Sequence, residues 1–224
     1  MTISDTPTTA KSNGDHKEYL LCEDCERHIK VCYEDTGTIY LHRKKGASEN
    51  KEYIIIPEFN YKYYYLFVIS IIWRASISSL DIYRPAQELS KLEPYLRHCI
   101  KENTLYLSPQ GPKLDDFIKV SIARVVDLLD QIKQETLDRL LFSLNFERGE
   151  NETEGLHYYM MLDGFLITAS ILPPGSPLAS NWNTPGRLLD RRHLKAPKVC
   201  FSVIKPIFEA ISAVPTTNNP FAPK

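Results

Sequence analysis

With 224 residues, 43% hydrophobic and 25% charged, the chain has the composition of a folded globular protein with one sizeable core. A formal net charge of −1 excludes whole-molecule attraction to nucleic acid or to an anionic membrane and leaves a local basic patch as the only electrostatic route to either. A polar start without a secretory signal (Met1 to Asp15) and an odd number of cysteines, five, argue against a disulfide framework and for a cytoplasmic protein with reduced thiols.

Residues 1–17 hold little to bury and are expected to be a disordered tail. A single mixed domain is expected over 18–214, with a knuckle and hairpin in 18–57, a helical part in 58–135 and a β-meander with a long loop in 136–214; residues 215–224 read as a frayed tail. After Tyr19-Leu20-Leu21, the run from Cys22 reads as a knuckle and then a short helix to Tyr33. Thr38 to His42 and Tyr53 to Ile56 read as strands around a polar turn, Lys44 to Lys51. Tyr61 to Ser79 is the strongest helix, apolar nearly all round and therefore central. Its longest apolar run, Tyr63 to Trp73, would span only about 16 Å, half of a hydrocarbon core of about 30 Å, so it is a core helix and not a membrane span. Pro85 suits the first turn of the next helix, and Ser90 with Glu93 forms a capping box for a restart at Pro94.

Beyond the turn Pro109-Gln110-Gly111-Pro112, the positions Ile118, Ile122, Val125, Val126, Leu129 and Ile132 keep helical spacing, although the β-branched residues there leave a strand open. Leu140 to Phe146, Leu156 to Leu162 and Phe165 to Leu172 read as a β-meander, with an acidic loop (Glu147 to Glu154) and an Asp163-Gly164 hairpin turn. A Pro-, Ser- and Asn-rich loop, Pro173 to Gly186, carries Trp182. Leu188 to Lys198 is basic, Val199 to Ile204 reads as a strand and Pro206 to Ala213 as a short helix.

Chemistry concentrates first in Cys22-x2-Cys25-x2-His28-x3-Cys32. A Cys-x2-Cys turn aims two thiolates at one point, and sulfur with imidazole nitrogen favours zinc. If 25–33 is helical, however, Cys25 and Cys32 stand about 10.5 Å apart along the axis, so a four-ligand site requires the helix to break. Three readings follow: one ion on all four residues, a site that uses Cys22 and Cys25 with ligands from elsewhere, or plain thiols. The second candidate is the basic stretch Arg187, Arg191, Arg192, Lys195 and Lys198, opposed only by Asp190; with Trp182 it could track a phosphate backbone, or form a solvated face. Arg74 is either an anion hook or an arginine paired with Glu26, Asp81 or Glu93. His157, His193 and Ser170 form no readable triad, and no nucleophile elbow, Walker loop or dinucleotide fingerprint is present, so no catalytic residue is assigned.

Leu20-Leu21-Cys22-Glu23-Asp24-Cys25-Glu26 resembles the second knuckle of HNH-type treble-clef proteins. Tyr65-Leu66-Phe67-Val68-Ile69-Ser70-Ile71-Ile72-Trp73-Arg74-Ala75-Ser76-Ile77-Ser78 resembles the signature helix of an uncharacterised bacterial family in which such a knuckle precedes it; the resemblance covers residues 19–102. It implies no established activity, and places the chain among accessory proteins of mobile-element or phage-defence loci. Longer members resemble a full treble clef with an earlier Cys-x2-Cys and a histidine segment. Here no cysteine precedes Cys22, His16 is the only upstream histidine, and Glu26 stands where active HNH enzymes place histidine or asparagine.

These readings converge on an α+β fold: a central buried helix with further helices, a C-terminal antiparallel β-meander and a small N-terminal zinc-knuckle-like element. The expected function is a non-catalytic accessory or binding protein, with zinc as a structural ion and nucleic acid or a protein as partner. The alternatives are a degenerate HNH-like metal-dependent nuclease completed by a partner chain, and a protein–protein inhibitor module.

Overall fold

The computed structural model describes residues 20–41, 46–129, 132–139, 142–148, 155–173, 176 and 186–206. Both tails, Trp182 with most of its loop, most of the acidic 147–154 loop and nearly all of the 206–213 helix lie outside them. The fold is α+β.

The described chain opens with one helical run: α1 (Glu23–Ile29), a π-helical segment (Lys30–Glu34) and α2 (Asp35–Leu41). The strand expected from Thr38 is therefore helix. Gly37 is buried where α2 meets the central helix, and a Cβ there would stand 2.9 Å from the Phe67 ring. That close packing outweighs the β-branched preference of Thr38 and Ile39.

Two short strands follow, β1 (Ser48–Glu49) and β2 (Tyr53–Pro57). The central helix α3 (Tyr61–Ile77) is capped by Asn60, whose side chain accepts from the Tyr63 N–H, and is buried nearly all round. Its serines do not stay unpaired: Ser70 and Ser76 each donate 2.7 Å back to the carbonyl three residues earlier. The next segment, Asp81–Lys91, contains Pro85 and is a 3-10 helix, not the expected α-helix. The predicted capping box does not form at α4 (Glu93–Lys101). Its cap is Leu92, and the Glu93 carboxylate accepts from Trp73 Nε1 at 3.2 Å and pairs with Arg97 at 3.4 Å.

A one-turn α5 (Leu114–Phe117) leads into β3 (Ile118–Val126), where helical spacing had also been read. β3 is buried along nearly its whole length on both faces, so its apolar residues do not alternate and periodicity misleads. Then come α6 (Gln134–Arg139), β4 (Phe142–Arg148), β5 (Leu156–Leu162), β6 (Phe165–Ile171) and β7 (His193–Cys200). The meander β4-β5-β6 is antiparallel as expected. Its β5–β6 turn places Asp163 and Gly164 at φ 50° and 73°, the left-handed pair that a two-residue hairpin needs.

The strand expected over 199–204 begins six residues earlier, and 201–206 is helical. Among the described residues seven strands form one sheet in the order β1-β2-β7-β3-β6-β5-β4, with only β3 and β7 parallel. Pro197 sits where β7 changes partner: pairing with β2 ends there, and pairing with β3 starts at Lys198. A proline that lacks an N–H is tolerated at such a switch inside a sheet.

α3 covers one sheet face, in a core with Val120 and Ile122 of β3, Met160 of β5 and Ile167 of β6. Tyr65 ties the two layers by donating to the Ile118 carbonyl at 2.8 Å. A smaller cluster, Val125, Leu137, Met161 and Ile204, lies apart from it. Among the described residues no helix is long and apolar enough to cross a membrane.

Candidate functional site

The four residues of the cysteine motif fall into two pairs. Cys22 is the extended N-cap of α1 and Cys25 lies one turn on; both are exposed. The Cys25 backbone N–H and then its thiol draw Cys22 below the ordinary thiol value, while sharing that contact raises Cys25. The second pair lies a turn further along. His28 Nε2 stands 2.9 Å from the Ile100 carbonyl, which can only accept, so Nε2 carries a proton. That leaves Nδ1 facing the Cys32 sulfur at 3.8 Å, and Tyr33 donates to the same carbonyl at 2.7 Å. The helical run continues unbroken from 23 to 41, so the two pairs are not brought onto one point. Among the described residues no three His, Cys, Asp or Glu side chains converge as a metal site. The donor set at Cys22 and Cys25 fits half of a tetrahedral zinc site.

The basic stretch is dispersed by β7. Lys195 lies 3.7 Å over the Tyr53 ring, Lys198 is 3.5 Å from Glu49, and the backbone of Arg187 bridges to Ser121 of β3. Trp182 lies outside the described residues. Arg191 and Arg192 are different: exposed, they line a cleft of about 840 Å³ with Lys62 and Lys113. Two carboxylates, Glu58 and Asp190, share the lining, so cations outnumber anions two to one.

This cleft is assembled from three separate parts of the sequence. The Phe59 N–H donates to the Arg192 carbonyl at 3.0 Å, which clips the 190–192 turn to the start of α3. Tyr40 braces the same start by donating to the Glu58 carbonyl and accepting from the Asn60 N–H, at 2.8 and 2.9 Å. Lys62 donates to the Asn103 carbonyl at 3.0 Å and so joins α3 to the loop after α4. The opposite wall is a small hairpin: Tyr106 bridges Lys113, and Leu107 N–H and Leu114 N–H bond back across it. Tyr106 is 45% exposed, with Lys113 Nζ 5.2 Å from its ring centre.

Beside the cleft, Tyr61 donates to Asp115 at 2.6 Å, and burial followed by that bond pushes its hydroxyl well above the usual range. Lys119, 7% exposed, donates to the Asp115 carbonyl, and burial, then the nearby Arg187, lowers its pKa. Arg74 is a paired arginine, but its partner is Glu34 at 2.8 Å, none of the three carboxylates expected. His157 and Ser170 face each other across β5 and β6 at 2.8 Å, with Ser170 fully buried.

Of the cleft's lining, the sequence reading named Arg191 and Arg192 as candidates and did not name Lys62, Tyr106 or Lys113. One signal was available: the first turn of α3 carries Lys62 and no acid, the reverse of what the helix dipole favours. No protein-family model, no curated protein and no solved structure matches this chain.

Proposed function

We propose that the chain is a non-catalytic nucleic-acid-binding protein that holds a phosphate backbone in the cleft between the start of α3 and the 190–192 turn. The observation that carries this is the convergence of Lys62, Lys113, Arg191 and Arg192 on one concave surface of a chain whose net charge is −1. Such a patch attracts phosphates locally, where the whole molecule does not. Arg191→Ala with Arg192→Ala is expected to weaken binding about tenfold at low salt and to flatten the log K against log salt slope by about 1.5. Fluorescence anisotropy with labelled oligonucleotides reads both. Unchanged affinity in the double variant, or no binding by the wild type at low salt, rejects the proposal. Cleavage of the oligonucleotide with Mg²⁺ or Mn²⁺ would replace it by a nuclease.

A second reading concerns the Cys22 and Cys25 pair, favoured by their place one turn apart at the exposed start of α1. We infer that they clasp a zinc ion whose other ligands come from a partner chain. Elemental analysis is then expected to find zinc, at one ion per two chains where the partner is a second copy, lost on Cys22→Ser; zinc-free protein of unchanged assembly state refutes it.

A further inference from the structure

We infer that the ligand of the cleft is single-stranded, and that Tyr106 stacks one of its bases. The inference rests on the nucleic-acid reading above and deepens it. Proteins that read a duplex push a convex element into a groove, commonly a helix in the major groove about 12 Å wide. Here the cations line a concavity of about 840 Å³, a space on the scale of one or two nucleotides and far too narrow for a double helix. A strand held in a basic groove needs a flat aromatic surface for its bases, and every base offers a π-face to it.

Tyr106 supplies that surface. It lines the cleft, is nearly half exposed, and is fixed by its own surroundings. Its N–H donates to Thr104 Oγ1 at 3.2 Å, its carbonyl accepts from the Cys99 thiol at 3.8 Å, and its backbone bridges Lys113. An exposed ring on a backbone held this firmly presents its face at a fixed place in the cleft. The groups around it divide by chemistry. Lys62, Lys113 and the two arginines suit phosphates; Glu58 and Asp190 repel phosphates and accept from base amino groups.

The test compares three probes with the full chain at one low salt concentration: a single strand of about twelve nucleotides, the duplex of the same sequence, and inorganic polyphosphate as a baseless competitor. The single strand is expected to bind at least about tenfold tighter than the duplex. Tyr106→Ala should lose about tenfold for the single strand, Tyr106→Phe should keep wild-type affinity, and neither should alter competition by polyphosphate. Ultraviolet crosslinking with peptide mapping is expected to place an adduct on Tyr106, which a merely structural residue would not give. Equal affinity for duplex and single strand, or undiminished binding by Tyr106→Ala while the double arginine variant still fails, overturns stacking and leaves the nucleic-acid reading standing. If the arginine variant also binds normally, both fall.

Discussion

Cys99 is fully buried, and burial pushes its thiol up to about 11 from an ordinary 9.0. The unfolded chain releases that proton near 9, whereas the folded chain holds it, so between pH 9 and 11 the folded state binds more protons and stability falls as pH rises. Tyr33, Tyr61, Tyr64 and Tyr65 are raised by burial in the same direction, but an unfolded tyrosine keeps its proton until about pH 10, so the loss between about pH 9 and 10 belongs mainly to Cys99. Melting curves from pH 8.5 to 11 are expected to show Cys99→Ala losing less stability than wild type between about pH 9 and 10; parallel curves there refute the assignment. Arg124 is a buried cationic side chain whose partners are in place. It is 5% exposed, yet donates to the Asp163 carbonyl and the Asp138 carboxylate and lies 5.1 Å from the Phe165 ring centre. At this scale the sequence was informative wherever a residue's chemistry acts alone. The charge of Arg191 and Arg192 is visible in any order of residues. The role of Tyr106 depends on Lys113 and Lys62, whose nearness only the fold creates.

α2 shows how one residue decides an element. Gly37 would, with any side chain, push into the Phe67 ring, so Gly37→Val is expected to cost about 2 kcal/mol by overpacking, read as a lowered denaturation midpoint. Gly37→Val as stable as wild type would show that the ring moves aside and that α2 does not need this contact. The contact also explains the misread strand: Thr38-Ile39-Tyr40-Leu41 has the composition of a strand, and its helix is imposed by packing on α3. By contrast α3 itself and the β5–β6 hairpin were legible because local and global preferences agree there. β3 was not, since burial on both faces erases alternation. β7 was read late because Pro197 and the alternating charges of His193 and Lys195 look like a loop until β2 and β3 are seen on either side.

The whole molecule is organised by one sheet that joins early and late parts of the chain. β2 and β3 do not touch as neighbours; β7 fills the place between them. The cleft inherits this arrangement, because the turn carrying Arg191 and Arg192 enters β7 and is clipped to the start of α3. The salt-dependent binding that the double arginine variant is expected to lose is therefore a property of the assembled sheet, and a peptide covering 187–198 alone would keep the charges without the concavity. This is why a charge run in the sequence located part of the site and not its shape.

The position of β7 also sets the order in which the protein can be completed. Until residues 193–200 have left the ribosome, β2 and β3 each present an open edge, and the hairpin β1–β2 has nothing to join. Closing the gap needs contacts between positions about 140 apart, Ile54 with Ala196 among them, which makes the last step of folding slow. A nascent chain stalled before His193 is then the form most exposed to edge-to-edge aggregation, and a strand bound in the cleft would favour the closed sheet by holding its final turn in place.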